Sequence, residues 1–200
     1  MTSRPGRLLS RGFYRRDPLE LAPDLLNKVL VHGDRAGRIV EVEAYRGAED
    51  PASHAYRGRT PRTEVMFGPP GHIYVYFSYG MHWCANVVAA EDGIAGAVLI
   101  RALTPLRGID TMRAVRPAAR RDIDLANGPA KACQALGIDG RLDGADLVAP
   151  GSLIGIVDDL VAPPLTPTAG PRVGISAAVD FPWRFSVPGD AHRSRPMPRP

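Results

Sequence analysis

In RIVEVEAY (38–45) the residues alternate so that Glu41, Glu43, Tyr45 and Ile39 share one side of a strand and Val40, Val42 and Ala44 the other. Two carboxylates on one strand face repel unless that face is wet or one of them has work to do. The plain reading is a solvated face. The chemical reading is a carboxylate that deprotonates water and stabilises developing positive charge, with an aromatic ring beside it. A turn-rich polar loop, GAEDPASHAYRGRTPR (47–62), follows and carries His54 among Arg57, Arg59 and Arg62. Loops of this kind sit at the surface and often hold binding residues, although a lone loop histidine is more often merely exposed. In HIYVYFSYGM (72–81), Ile73, Val75 and Phe77 are expected to face the core and Tyr74, Tyr76 and Ser78 the opposite side. Core packing is the preferred reading for Phe77 and Tyr74. Tyr79 stands beside Gly80, where the strand must turn, and suits a wedge pushed between stacked rings.

These residues need a rigid support. The 200-residue chain is long enough for one domain with a real core, and its 44% hydrophobic content excludes wholesale disorder. It carries no apolar run of membrane-span length and no signal-peptide pattern at Met1–Leu9, so a cytoplasmic protein with no membrane partner is expected. Two distant cysteines, Cys84 and Cys133, fit a reducing compartment. His82 with Cys84 makes a poor metal site, and neither metal nor cofactor is expected. A net charge of +4 and a pI near 9.4 suit a polyanionic partner. The cluster Arg113, Arg116, Arg120 and Arg121 divides evenly between solubility charge and phosphate contact.

Pro23 is expected near a helix start within 21–32, and strands are expected at 37–45, 72–80 and 95–103. Residues 104–116 read as helical, as do 126–138, where Asn127 or Gly128 caps, Pro129 follows and Gly137 stops the helix. Later strands are placed near 152–158 and 172–187. The rhythm is not that of a doubly wound sheet. An α+β fold is expected: one domain over 8–188 with a curved, mostly antiparallel sheet, peripheral helices, and flexible termini at 1–7 and 189–200.

EVEAY (41–45), EDPASHAYRGRTPR (49–62), MFGPPGHIYVYFSYGMHWCANVV (66–88), LIRALTP (99–105), NGPAK (127–131) and PWRFSV (182–187), in this order, resemble the alkyladenine (3-methylpurine) DNA glycosylases. The resemblance covers roughly residues 8 to 188. It implies that Glu43 activates the attacking water, that Arg101 helps hold that water, and that a backbone carbonyl matched to Ile175 orients it. It also implies a base pocket made by Tyr45, Tyr76 and His54, with Asn86 crowding the exocyclic amine of guanine. Tyr79, with Met81 beside it, would fill the gap left in the duplex. Arg57, Arg59 and Lys131 would meet backbone phosphates.

The implied partner is double-stranded DNA containing damaged purines, the implied state a monomer, and the implied reaction hydrolysis of an N-glycosidic bond. With no lysine or terminal amine at the nucleophile position, the product would be an abasic site on an intact strand. Two rivals stand beside this reading. A non-catalytic nucleic-acid-binding module would need the basic loops and aromatics but not Glu43. A hydrolase of free modified nucleosides would need Glu43 and the pocket but neither Tyr79 nor the arginine-rich loop.

Overall fold

The computed structural model describes residues 6–78 and 80–196. Its nine strands form one antiparallel sheet: β1 (Arg7–Leu8), β2 (Val29–His32), β3 (Arg35–Tyr45), β4 (Ile73–Ser78), β5 (His82–Val88), β6 (Ala97–Arg107), β7 (Ile154–Asp158), β8 (Thr168–Gly170) and β9 (Arg184–Ser186). Along the main path the order is β1-β7-β2-β3-β6-β5-β4, with β9 joining β3 and β8 joining β9. The helices are short and peripheral: α1 (Arg11–Tyr14), α2 (Pro18–Leu25), α3 (Ile109–Val115) and α4 (Pro129–Leu136). The α+β architecture with a mostly antiparallel sheet is therefore present. No helix among the described residues is long and apolar enough to cross a membrane.

Local chemistry explains several boundaries. The helix expected to begin near Pro23 begins instead at Pro18, because Asp17 caps it by accepting from the Leu19 amide at 2.8 Å; Pro23 lies inside it. Residues 104–107, expected to be helical, extend β6, and α3 starts only after Gly108. Gly137 ends α4 in the left-handed region at φ 69°, with the Ile138 amide donating to the Cys133 carbonyl. The segment 172–187 holds only the three residues of β9 as strand, the rest being loop.

β3 and β6 carry the main irregularity. Ile39 pairs with Leu103, Glu41 with Ala102 and Val42 with Ile100, so Val40 is an extra residue in β3 and Arg101 an extra residue in β6. Such bulges re-aim side chains. As a consequence Ile39 joins Val42 and Ala44 in the main core, although simple alternation sets it with the glutamates. That core also takes Leu21 and Leu25 from α2, Leu136 from α4, and Val98, Ile100 and Leu103 from β6. A second, smaller cluster of Ala55, Met66, Tyr74, Val88, Ala95 and Ala97 underlies the loop after β3.

Candidate active site

Side chains directly opposite one another in an antiparallel sheet share a face. The pairs Tyr74–Asn86, Asn86–Leu99, Leu99–Glu43 and Glu43–Arg184 form a single row across β4, β5, β6, β3 and β9. Over this row opens a cavity of about 610 Å³, within the range of small-molecule sites. Tyr45, His54, Tyr74, Tyr76, Asn86, Leu99, Arg101, Val173 and Ile175 are among its lining residues.

Glu41 and Glu43 are both fully buried, which overturns the solvated-face reading. Their repulsion is relieved by Arg101, whose Nε lies 3.2 Å from Glu41 Oε1 and whose Nη1 lies 3.2 Å from Glu43 Oε2. Glu41 is saturated further by Arg184 Nη1 at 3.0 Å and by the amide and hydroxyl of Ser194 at 2.5 and 3.0 Å. Glu43 accepts from the Val173 amide at 2.7 Å and from the Tyr45 hydroxyl at 2.9 Å. Burial works against the Arg101 cation, but Glu43 and Glu41 outweigh it and hold the group firmly charged. Burial also pushes the Tyr45 hydroxyl well above its ordinary range, with Glu43 adding to the shift. Tyr45 therefore stays a proton donor at neutral pH.

The rim is aromatic. His54 and Tyr76 meet edge to face with centroids 4.5 Å apart, and Tyr74 stacks on Tyr76 at 5.5 Å. His54 Nδ1 and the Tyr74 hydroxyl share a hydrogen bond of 3.1 Å. The histidine is exposed along one side, while desolvation of its packed edge and then Arg62 lower its pKa. Arg62 itself lies over the Tyr76 ring at 5.6 Å. Asn86 is buried and donates to the Tyr74 carbonyl at 3.2 Å.

Behind Tyr45 stands a second ionic group. Arg172, fully buried, makes two hydrogen bonds to Asp50 at 2.5 and 2.8 Å and one to the Ala44 carbonyl at 2.9 Å. Its guanidinium lies 4.6 Å from the Tyr45 ring and 5.0 Å from that of Trp183. Arg172, Asp50, Arg184, Val173 and Ser194 were not among the residues picked from sequence, and Arg62 was picked only as one of the basic residues of the His54 loop. Each reaches the site from a distant segment or a loop, and no local periodicity marks them.

The remaining expected residues are spread more widely. Met81 is exposed at the β4–β5 turn, where Gly80 has φ 65°, while Tyr79 lies outside the described residues. Phe77, expected in the core, is about half exposed and packs on Trp83, whereas Tyr74 is buried as expected. Arg57 and Arg59 are exposed on the loop after β3, and Arg59 is already paired with Glu64 at 2.8 Å and lies over Phe67. Lys131 donates to Asn127 at 2.7 Å and lines a neighbouring groove, not the main cavity. The glutamate amide donor is Val173, two residues before Ile175.

Comparison with known proteins gives a consistent result. The family model for methylpurine-DNA glycosylase matches residues 12–191. A protein of Burkholderia cenocepacia named "Putative 3-methyladenine DNA glycosylase" is 57% identical over 196 residues, covering 98% of this chain and 95% of its own length. Proteins with the same name are 47% identical in Streptomyces avermitilis and 48% identical in Rhodopseudomonas palustris, covering 95% and 97% of this chain and 92% and 91% of their own lengths.

Proposed function

The chain belongs to the methylpurine-DNA glycosylase family, and from that premise we propose that it flips a damaged purine out of duplex DNA and hydrolyses its glycosidic bond with a water activated by Glu43. The observation that carries this reading is the buried Glu43 carboxylate, held by Val173, Tyr45 and Arg101, all three of which line the aromatic cavity. An ionised carboxylate has about four acceptor positions, and three donors leave roughly one for a water proton.

In the proposed step the bond from the sugar C1′ to the purine nitrogen breaks as positive charge builds on the sugar. The water oxygen bonds to C1′, its proton passes to Glu43, and the electron pair leaves with the base. Glu43 also stabilises the cationic sugar electrostatically. Arg101 pairs with Glu43 and orients it, and the carbonyl of Ile175 and the guanidinium of Arg101 are the proposed further partners of the water. Among the described residues no lysine lines the cavity, which favours simple hydrolysis to an abasic site over strand cleavage through a Schiff base.

Selection would come in two stages. Unpairing and unstacking cost a few kcal/mol, and least for a damaged base. A purine methylated at a ring nitrogen carries positive charge, and stacking it on Tyr45 and Tyr76 is worth about 0.5–2 kcal/mol. Arg172 over the Tyr45 ring would oppose that preference if it acted as a bare cation, but its pairing with Asp50 cancels most of the opposition. Asn86 would crowd the amine of guanine, His54 would bond near the nucleotide, and Tyr79 with Met81 would hold the vacated gap. Arg57, Arg59 and Lys131 would contact phosphates.

The decisive assay measures base release from alkylated duplex DNA by wild type and Glu43→Gln. Loss of release by a factor on the order of 10² to 10⁴, with duplex binding retained, is expected. Wild-type turnover by the variant would overturn the mechanism.

A further inference from the structure

Residues 190–196, part of the 189–200 terminus expected from the sequence to be flexible, turn back to meet β3, β6 and β9. His192 shares a 3.0 Å hydrogen bond with Thr104, and Asp190 accepts from the His192 amide at 2.8 Å. Arg184 reaches the carbonyls of Arg195 and Pro196 at 3.5 and 3.3 Å. This brings Ser194 between the two charged groups that flank Glu43. Its amide donates to Glu41 Oε2 at 2.5 Å, its hydroxyl lies 3.0 Å from Glu41 Oε1, and the same hydroxyl accepts from Arg101 Nη2 at 3.0 Å.

A guanidinium is planar, and its three nitrogens point in fixed relative directions. Nε of Arg101 is on Glu41 and Nη2 is on Ser194, so the direction of Nη1, toward Glu43, is set by the other two. We propose that Ser194 is a positioning residue for the glycosylase reaction, its hydroxyl bridging Arg101 and Glu41 so that Arg101 is aimed at Glu43. The proposal rests on the reading of Glu43 as the general base. Ser194 does not line the main cavity; with Arg101, Lys131 and Val173 it lines the adjoining groove of about 420 Å³. It acts through Arg101, never on the substrate.

Loss of the hydroxyl leaves Glu41 with Arg101, Arg184 and the Ser194 amide, so the fold keeps its ionic partners. Arg101 alone loses a fixed acceptor. The chemical step should therefore suffer more than binding or folding. Single-turnover base release, duplex affinity and denaturation midpoint are to be measured on the full chain for wild type, Ser194→Ala and Ser194→Thr. The expected result is a release rate ~10-fold lower for Ser194→Ala, from misaligned catalytic groups. Duplex affinity should stay within about 2-fold, which marks a loss in the chemical step and not in binding. Ser194→Thr, which retains the hydroxyl, should recover most of the rate. A Ser194→Ala protein as fast as wild type overturns the proposal, as does a Ser194→Thr protein as slow as Ser194→Ala. If wild type itself releases no base, the Glu43 reading has failed, a result distinct from either.

Discussion

Arg101, Arg172 and Arg184 meet Glu41, Glu43 and Asp50 where solvent does not reach, whereas Arg113 and Arg121 meet Asp110, Asp122 and Asp124 in open solvent. The pairings are chemically alike. Their surroundings differ, and so do their consequences. A buried pair sheds its hydration, and its mutual attraction often does no more than offset that loss, so burial of four such pairs among three arginines and three carboxylates is poor evidence of a stability device. It is better evidence of a charged surface prepared in advance for a reaction that develops charge. The exposed pairs keep their water and are worth little to the fold. In the arginine cluster at 113–121, Arg113 and Arg121 are paired with neighbouring aspartates, and Arg116 bonds Gln134 and the Asp124 carbonyl.

The contrast is broken most forcefully at Asp50. Asp50→Ala leaves Arg172 charged, buried and without its carboxylate, and unfolding stability should drop by about 3–5 kcal/mol in a denaturant titration. A drop under about 1 kcal/mol would mean that the inner pairs behave like the outer ones. Smaller, and between the two environments, are the loop arginines. If Arg57 meets a phosphate, Arg57→Ala should flatten the dependence of log affinity on log salt by roughly one unit. Arg59→Ala should flatten it less, because Glu64 already holds that side chain. Equal slopes for both variants and wild type would place this loop away from the DNA.

His54 offers a pH test. Desolvation, then Arg62, lowers its folded pKa below the unfolded value of 6.5, so below pH 6.5 the unfolded chain binds the extra proton first. Stability is intact above 6.5 and is lost as pH falls from there toward the folded pKa. Replacing His54 with Gln should remove that part of the slope, and NMR titration of the ring should show the lowered midpoint directly. A His54 that titrates at or above 6.5 would contradict a desolvated rim. Least of all is expected from Arg113→Ala, which should leave the denaturation midpoint and the DNA salt slope unchanged within error.

Much of the site could be read from local pattern. Alternation in β3 and β4 set Glu41, Glu43 and Tyr45 together and Tyr74 with Tyr76, because a strand's side-chain period of two is dictated by backbone geometry alone. Turn residues and caps likewise exposed the loop that bears His54 and the start of α4 at Pro129. Local pattern failed where the chain departs from regular pleating. The paired bulges at Val40 and Arg101 moved Ile39 into the core, and Phe77 emerged at the end of a strand that outruns its cover.

What the sequence by itself determined, then, is which side chains share a strand face and which loop carries the aromatic and basic residues, since both follow from short-range sterics. Only the tertiary structure decided that two neighbouring glutamates are both buried, that one is saturated by Arg184 and Ser194, and that Val173, Tyr45 and Arg101 hold the other. The physical reason is that a charge can be buried only when partners arrive to satisfy it. Here those partners come from as far as 153 residues along the chain, where no period in the sequence could announce them.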